Sequence, residues 1–295
     1  MERVRSFNRT VTERIGALEG EYLDRGRPLG ASRLLWEIDE AGVDVRTIRR
    51  RLGLDSGYTS RLLRGLEREG LIAVEPDPDD QRVRMIRLTA AGRAEKAELD
   101  RLSDSLAASL LVPLGDGRAQ RLVDAMDTVT NLLTAGMVEI SIEDPTNDAA
   151  RFCIDAYFAE LDLRFDAGFD PSVSISADAD ELTPPNGLLL VARLRGEPIA
   201  CGALKLHTPY PAELKRMWVS PEARGLGLGR RILDELEEAA RVRGADVVRL
   251  ETNESLIEAI ALYRSSGYEE VEPFNEEPYA QHWFEKRIDP DLRPR

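Results

Sequence analysis

The sequence has no long hydrophobic run. No stretch approaches the roughly 20 consecutive apolar residues that a membrane-spanning helix needs. The longest nearly apolar runs, residues 187–192 and 199–204, have the length of single strands. The opening residues 1–16 also lack the apolar core of a secretory signal. We therefore expect a cytoplasmic protein with no membrane partner.

Cysteine and histidine are scarce as well, with two of each in 295 residues. Neither Cys153 nor Cys201 has a second cysteine or a histidine at metal-ligand spacing, and His207 and His282 stand far apart. Structural zinc sites are built from clusters of these residue types. The sequence therefore predicts no metal cofactor and two reduced, partly buried thiols.

Positive charge is in the minority. The net charge of −14 disfavours nonspecific binding of nucleic acid by the whole molecule. Residues 46–93, however, hold eleven arginines and seven acidic residues, a local excess of +4. A basic region on an acidic chain is compatible with site-specific binding of DNA.

The order of the predicted elements divides the chain into two domains, residues 1–137 and 138–295. The first half predicts helices and one hairpin, and the second predicts strands interleaved with helices, the order of an α/β sheet. The elements predicted for the first half are helices at 2–24, 30–40, 45–52 and 56–69, strands at 71–75 and 82–88, a helix capped by Thr89, and a helix at 116–135. The predicted fold class is thus a mostly α winged helix-turn-helix followed by an α/β domain.

Two short helices joined by a tight turn and followed by a hairpin form a winged helix-turn-helix, whose second helix fits the major groove of DNA. In that helix the leucines can pack inward, which leaves the side chains of Thr59, Ser60, Arg61 and Arg64 free to face bases and phosphates. At the tip of the hairpin, Arg82 can reach the minor groove or a phosphate, with a preceding aspartate to orient its guanidinium.

This half resembles the MarR family of regulators. The resemblance is carried by residues 55–63, 66–72, 80–82 and 88–92 and covers about residues 1–140. It implies a homodimer joined through the first and last helices of the domain, and hence a palindromic DNA site. The apolar face predicted for helix 2–24, with Val4, Phe7, Val11, Ile15 and Leu18, agrees with such an interface. A winged helix that serves only for dimerisation or for docking another protein stays open as an alternative, since a fold does not prove a function.

The second half predicts a sheet with helices between its strands. Its predicted elements are strands at 138–142, 188–194, 199–206, 214–219, 247–251, 268–271 and 279–287, and helices at 148–163, 229–243 and 255–266. Between strand 214–219 and helix 229–243 lies a glycine-rich turn. Glycines let backbone N–H groups approach a ligand closely, and the N-terminus of a helix favours anions, so this turn suits a pyrophosphate.

A dinucleotide-binding loop would use a similar turn, but here the glycines come after several strands and follow an Arg-x-x-Gly-x-Gly spacing. The region 138–288 resembles the GNAT acetyltransferases instead. The resemblance rests on residues 217–219 before the turn, on the turn itself, on Glu251-Thr252-Asn253, and on the segment from Ala259 to Tyr268.

The resemblance implies a role for each of these residues, with acetyl-CoA as substrate. The backbone amides of the turn would hold the pyrophosphate: Arg224, Gly225, Leu226, Gly227, Leu228, Gly229 and Arg230. The strand of Met217, Trp218 and Val219 would run beside the pantetheine, and the Val219 amide would polarise the thioester carbonyl. Asn253 would bind the pantetheine arm, and Tyr263 would protonate the departing thiolate.

The attacking amine must be neutral, so a base is expected. Glu213 begins the strand that leads to the turn, and it is the first candidate. His282 on the last strand is a second, because an imidazole titrates near neutrality. The acceptor is expected to be a small-molecule amine or a protein lysine; the acidic loop 269–277 could attract a cation, and Phe274, Tyr279 and Trp283 could line its pocket.

Taken together, the sequence predicts a bifunctional protein: a dimeric transcriptional regulator joined to an acetyl-CoA-dependent N-acetyltransferase. The alternative is a transcription factor whose GNAT-like domain senses acetyl-CoA or an amine without turnover. Turnover of acetyl-CoA with an amine distinguishes the two hypotheses.

Overall fold

The computed structural model describes residues 1–17, 20–175, 177–207 and 211–288. The chain forms two compact units, residues 1–128 and 129–295. No helix in these described ranges is both long enough and apolar enough to cross a membrane.

The first unit is mostly helical. Its elements are α1 (Glu2–Arg14), α2 (Leu29–Trp36), β1 (Val43–Asp44), α3 (Val45–Leu52), α4 (Ser56–Arg68), β2 (Ile72–Pro76), β3 (Arg84–Leu88), α5 (Ala90–Leu111) and the beginning of α6 (Asp116–Ala135). The prediction of one helix over residues 2–24 was wrong, because α1 ends at Arg14 and Gly16 adopts a left-handed φ of 65°, which stops a helix. Leu18 of the predicted apolar face lies outside the described residues.

The helix-turn-helix is confirmed between residues 45 and 68. Asp44 and Asp55 cap its two helices, each accepting a hydrogen bond from a backbone N–H in the first turn. Gly53, with φ of 63°, ends α3 and allows the tight turn. The inner faces of α2, α3 and α4 form the core with the hairpin. The fully buried side chains of this core include Leu34, Leu35, Ile38, Ile48, Leu66 and Ile86.

The wing is a three-stranded antiparallel sheet in the order β1-β3-β2. Strand β1 was not predicted, because only two of its residues pair, opposite Met85 and Ile86. The predicted cap of the following helix is confirmed, since Thr89 Oγ1 accepts a hydrogen bond from Gly92 N at 3.0 Å. A Cβ on Gly92 would lie 1.9 Å from the carbonyl oxygen of Leu71, so this contact between α5 and the hairpin requires glycine.

The second unit is a seven-stranded sheet among the described residues, in the order β4-β5-β6-β7-β8-β10-β9. Its elements are β4 (Val138–Glu143), α7 (Asp148–Arg164), β5 (Gly187–Leu194), β6 (Glu197–Lys205), β7 (Ala212–Val219), α8 (Leu228–Val242), β8 (Val247–Thr252), α9 (Ile257–Ser265), β9 (Glu269–Val271) and β10 (His282–Arg287). The α/β class is confirmed. The two units divide inside α6. Just after α6, the carbonyl oxygen of Val138 accepts a hydrogen bond from Arg231 of α8. The domain boundary at 137/138 stays a prediction.

Both faces of this sheet are covered. Leu188 and Leu190 of β5 belong to the core that includes α8 and α9, whereas Leu189 and Val191 belong to the core that includes α7. This alternation is what a strand buried on both faces requires. Cys153 of α7 and Cys201 of β6 are free, as expected, but both are fully buried rather than partly buried.

The sheet opens between its two parallel strands. Strands β7 and β8 pair only at Ala212–Val248 and Glu213–Arg249. Beyond these pairs β7 follows β6 and β8 follows β10, so the carboxyl ends of β7 and β8 separate. A bulge in β7 adds to the divergence: Arg216 takes a left-handed φ of 57° opposite Gly202. The opening creates space for a ligand at the middle of the sheet.

Candidate functional site

A cavity of about 580 Å³ lies at this opening, between β7, the turn that follows it, and helices α7 and α9. Its lining includes most of the predicted cofactor-binding residues. These are Met217, Trp218, Val219, Arg224, Gly225, Gly227, Leu228, Gly229 and Arg230. The fold therefore brings the end of β7 and the glycine-rich turn to one wall of one cavity; Leu226 is not among the residues that line it.

The glycine-rich turn presents its backbone N–H groups without acceptors. Gly225 and Gly227 take left-handed φ values of 83° and 74°, which few other residues adopt readily. Helix α8 begins immediately afterwards, and no side chain caps it. Within the described part of the chain, no hydrogen-bond acceptor faces the N–H groups of residues 225–230; the first bond of the turn is Arg231 N to Gly227 O. A row of free donors at a helix N-terminus is an anion-binding arrangement.

The arginine side chains of the turn are held by the protein rather than aimed into the cavity. Both carboxylate oxygens of Glu160 on α7 accept hydrogen bonds from Arg224, at 2.6 and 2.7 Å. Arg230 donates to Ser265 Oγ at 2.6 Å and so ties the start of α8 to α9. Trp218 Nε1 donates to the same Glu160. These contacts hold the arginine side chains in place, and they leave the backbone N–H groups as the free donors of the turn.

The free edge of β7 faces the same cavity. Ser220 N donates to Ile199 O, toward β6. Because successive N–H groups of a strand point in opposite directions, the N–H of Val219 points away from β6 and toward the opening. The edge of β7 is therefore available to pair with an extended ligand.

A smaller cavity of about 90 Å³ adjoins the first on the other side of β7's bulge. The two cavities share Tyr157, Leu161, Met217, Leu256, Ala259 and Tyr263 as lining residues. One side of the smaller cavity is aromatic, with Phe165, Phe169 and Tyr279 packed at centroid distances of 4.9 to 5.9 Å. The other side carries charged groups. Tyr279 thus lies where the sequence placed it, whereas Phe274 and Trp283 lie outside this lining.

The charged side of the smaller cavity contains two basic and two acidic residues: Lys215, Arg216, Glu251 and Glu277. Lys215 forms an ion pair with Glu251, and the second oxygen of Glu251, Oε2, is buried without a hydrogen-bond partner. Glu277 accepts hydrogen bonds from Ser174 Oγ and Ile175 N. Arg216 lies with its guanidinium carbon 4.4 Å from the centre of the Phe158 ring.

The two residues predicted as general bases lie outside both cavities. Glu213 is buried at the point where β7 and β8 pair, and its carboxylate accepts a hydrogen bond from Arg249 Nε at 3.0 Å. Burial raises the pKa of Glu213, but this hydrogen bond and the neighbouring charges of Lys215 and Arg249 outweigh it and bring the pKa below its ordinary value. His282 pairs with Glu270 at 2.6 Å and does not line either cavity. A role for Glu213 or His282 in deprotonation stays a prediction that this placement does not favour.

Tyr263 lies where the two cavities meet. It is 5% exposed and packs with Tyr268 and Phe284. Burial raises the pKa of Tyr263 well above its ordinary value, so the phenol stays protonated at neutral pH. Tyr157, on α7, lines both cavities as well, and burial raises its pKa to about 12.

Asn253 lines the smaller cavity rather than the larger one. Its Nδ2 donates to Tyr279 O at 2.8 Å, and its Oδ1 accepts a hydrogen bond from Ser255 N. Both ends of the amide are therefore engaged in holding the loop after β8 against the aromatic side of the cavity. Its predicted contact with a pantetheine arm stays a prediction.

In the first unit, the outer face of α4 is largely as predicted. Ser60, Arg61 and Arg64 are exposed, and Arg61 lies over the ring of Tyr58. Thr59 contradicts the prediction, because it is only 2% exposed and its hydroxyl donates to Asp55 O within the helix. Its small side chain fits the core beside the leucines of α4 and cannot share the solvent-facing surface.

Arg82 projects from the wing, with 91% of its side chain accessible. The Asp80 carboxylate accepts hydrogen bonds from the backbone N–H and from Nε of Arg82, at 3.0 and 3.1 Å. The expectation that a preceding aspartate orients this guanidinium is confirmed.

Comparison with known proteins agrees with both halves of this description. Residues 135–268 match the acetyltransferase (GNAT) family, and residues 25–83 match the MarR family. The chain belongs to the GNAT acetyltransferase family and carries a MarR-type winged helix before its acetyltransferase domain.

Individual relatives represent each half of the chain. The IAA acetyltransferase of Azospirillum brasilense is 36% identical over 143 residues, which cover 48% of this chain and 90% of that protein. N-alpha-acetyltransferase RimI of Mycobacterium tuberculosis is 32% identical over 142 residues, 47% of this chain and 84% of that protein. The HTH-type transcriptional regulator TtmR of Methylorubrum extorquens is 34% identical over 120 residues; they cover 40% of this chain and 57% of the regulator.

The sequence reasoning missed three residues that line the smaller cavity: Tyr157, Arg216 and Glu251. The pair Lys215-Arg216, two adjacent cations inside an otherwise buried strand, is a signal that was available. Glu251 was recognised as part of a motif but not as a cavity residue. Tyr157 lies on a helix more than fifty residues before the turn, so only the tertiary fold could bring it to the site.

Proposed function

We propose that this protein is an acetyl-CoA-dependent N-acetyltransferase whose MarR-type domain binds DNA as a homodimer. The observation that carries the enzymatic half is the row of backbone N–H groups at residues 225–230 without acceptors. These donors, at the N-terminus of α8 and on the wall of a 580 Å³ cavity, fit the diphosphate of coenzyme A. The free edge of β7 fits the amide groups of the pantetheine arm, which would add to it like a strand.

In the proposed reaction, the acetyl group passes directly from acetyl-CoA in the larger cavity to an amine in the smaller one. A neutral amine in the smaller cavity attacks the thioester carbonyl carbon, a C–N bond forms, and the C–S bond breaks. The Val219 N–H polarises the carbonyl oxygen, and Tyr263 gives its proton to the departing sulfur. Because burial raises the pKa of Tyr263, the phenol is present as the acid when the thiolate forms.

Glu251 is the group that we place as acceptor of the amine proton. Its Oε2 is buried in the smaller cavity without a hydrogen-bond partner, so this oxygen can accept a proton from an amine bound there. The carboxylate of Glu213, in contrast, forms ion pairs with Arg249 and Lys215 and does not line the cavity. The two glutamates lie on neighbouring strands and both contact Lys215, so they form a matched pair for a test.

The experiment that tests the enzymatic half is release of coenzyme A thiol in the presence of a panel of small amines and lysine peptides. We expect turnover with at least one amine. Glu251→Gln should lower kcat/KM for that amine by about 100-fold, and Glu213→Gln should lower it by less than about 3-fold. If coenzyme A binds but no acceptor is acetylated, the domain is a sensor rather than an enzyme, and this proposal is wrong.

The DNA-binding half rests on the exposed face of α4 and on the wing. Ser60, Arg61 and Arg64 of α4 are all exposed to solvent. Arg82 extends from the wing, and its guanidinium donates a hydrogen bond to Asp80. Such side chains can contact bases and phosphates of adjacent major and minor grooves. A gel shift with the DNA upstream of the gene tests this: Arg82→Ala should weaken retention about 10-fold, and an equally tight shift by the variant would contradict the assignment.

Dimerisation is proposed through α1 and α6, the first and last helices of the N-terminal domain. Helix α1 buries no residue within the chain, yet it carries the large apolar side chains Val4 and Phe7, both about half exposed. Helix α6 likewise exposes Met126, Leu132 and Leu133. Exposed apolar stripes on two helices are typical of surfaces that a second copy covers. Analytical ultracentrifugation should give a dimer, and Phe7→Glu should shift it toward monomer.

A further inference from the structure

The smaller cavity contains an arginine, Arg216, that forms no ion pair with the described residues. Several other buried or partly buried arginines have carboxylate partners: Arg27 pairs with Glu95 at 2.9 Å, and Arg249 pairs with Glu213. For Arg216, the described chain provides no carboxylate within 4.0 Å, and its Nε is buried without a hydrogen-bond partner. Desolvating a cation without a close anion is costly, so a ligand carboxylate beside Arg216 would be favourable.

The backbone commits Arg216 to this position. The bulge in β7 places it at a φ of 57°, a conformation that side chains rarely adopt. Opposite the bulge, a Cβ on Gly202 would lie 2.5 Å from Ile232 and 2.7 Å from Met217 Sδ, so a glycine is needed there. Strained backbone that persists in a closely packed sheet is found mainly where it positions a functional side chain.

The guanidinium of Arg216 is also fixed from one side. Its carbon lies 4.4 Å from the centre of the Phe158 ring and 6.0 Å from that of Tyr157, and both rings come from α7. An arginine held over aromatic rings keeps its N–H groups available at the edge of its plane. The geometry is that of a prepared site for a planar anion such as a carboxylate.

The other charged groups around the cavity are already engaged. Lys215 is paired with Glu251, and Glu277 accepts hydrogen bonds from Ser174, Ile175 and Tyr279. Two open groups are left: the cation of Arg216 and the Oε2 atom of Glu251. One cationic and one anionic group in a cavity of about 90 Å³ match a small molecule that carries both a carboxylate and an amine.

We propose that the acceptor is a free amino acid, with its carboxylate bound by Arg216, its amine directed to Glu251, and an apolar side chain against Phe165, Phe169 and Tyr279. This assignment deepens the proposed acetyltransferase activity and rests on it for the reaction, but the binding site stands on its own contacts. A protein lysine lacks a carboxylate near its amine and would leave Arg216 uncompensated.

Binding provides the first test, because it does not depend on turnover. Protein saturated with coenzyme A is titrated calorimetrically with leucine and phenylalanine, and with leucinamide and phenylalaninamide, which lack the carboxylate. We expect at least one amino acid to bind about 30-fold or more tightly than its amide. Equal affinity for an amino acid and its amide, or no binding of either, overturns the proposal.

Arg216→Gln identifies the residue responsible. It should weaken binding of the amino acid about 30-fold, change binding of the amide less than about 3-fold, and leave the affinity for coenzyme A unchanged. Arg195→Gln is the matched control, since Arg195 also has a left-handed φ, of 55°, but lies exposed on the β5–β6 turn. If Arg216→Gln does not fold, Arg216→Lys keeps the charge, and it should retain a preference for the amino acid over the amide. Equal losses for amino acid and amide in a folded variant overturn the proposal.

Turnover of the same four compounds separates this inference from the proposed function. Acetylation of amino acids in preference to amides supports both. Binding that depends on Arg216 without any acetylation supports the amino-acid site and overturns the transferase. Acetylation of amides as fast as amino acids supports the transferase and overturns the amino-acid site.

Discussion

Replacing Tyr263 by phenylalanine removes one oxygen atom from the point where the two cavities meet. The ring is 5% exposed and packs against Tyr268 and Phe284, and its hydroxyl makes no hydrogen bond with the described residues. Phenylalanine keeps this packing, so we expect the free energy of unfolding to change by less than about 1 kcal/mol. Loss of the proton donor should lower kcat by about 100-fold, or about 2.7 kcal/mol of barrier.

The assay for Tyr263→Phe is thiol release under saturating acetyl-CoA and acceptor, alongside titration of acetyl-CoA binding. The affinity for acetyl-CoA should be unchanged, because the N–H groups that we propose for the diphosphate lie on the turn. Because burial raises the pKa of Tyr263, wild-type kcat should not decline through loss of this proton between pH 7 and about pH 10.

Two control variants decide whether this effect belongs to Tyr263. Tyr268→Phe changes the neighbouring ring, which lines neither cavity, and should leave kcat within about 2-fold. Tyr157→Phe changes the other phenol that lines both cavities. If Tyr263→Phe keeps more than a third of wild-type kcat while Tyr157→Phe loses 100-fold, the acid is Tyr157 and the reasoning for Tyr263 is refuted.

Three further predictions concern the glycine-rich turn, helix α4 and the core of the first unit. Gly227→Ala, which forces a side chain into φ of 74°, should weaken coenzyme A binding about 10-fold by calorimetry, whereas Gly244→Ala, at φ of 83° after α8, should leave it unchanged. Arg61→Ala should lower the affinity for the upstream DNA about 10-fold and make its salt dependence shallower by about one unit. The hydrogen bond from Arg25 outweighs burial and lowers the pKa of Glu95; the stability that Glu95 contributes is therefore present above its ordinary pKa near 4.5 and is lost as pH falls through the lower folded value. The protection factors of the α5 amides should fall below about pH 4.5, and Glu95→Gln should show that lower protection already at pH 7.

Local signals in the sequence predicted the elements that depend on neighbouring residues. The turn between α3 and α4, the cap at Thr89 and the glycine-rich turn before α8 are each specified within a few residues, and the structure contains all three. Elements that depend on distant partners were harder. Strand β1 has only two residues and exists because β3 pairs with it. Thr59 reads as a polar surface residue, yet its hydroxyl is satisfied inside its own helix, so it can be buried.

In the candidate site, too, the parts specified by neighbouring residues were predicted, and the parts that depend on distant residues were not. The wall formed by β7 and its turn is continuous in sequence and was predicted. The smaller cavity was not, because it depends on the separation of β7 from β8 and on rings supplied by α7. Glu213 was a reasonable base from its place on the strand, but its ion pair with Arg249 arises only from the parallel pairing of the two strands.

Hydrogen exchange of the segment around residues 225–230 tests the central claim most directly, since it reads the N–H groups themselves. In the free protein these amides lack acceptors and should exchange rapidly. With saturating coenzyme A they should slow by at least about 10-fold, and pantetheine, which has no diphosphate, should leave them unchanged. If coenzyme A binds and the exchange of this segment stays as fast as before, the diphosphate lies elsewhere and the assignment of the turn is wrong.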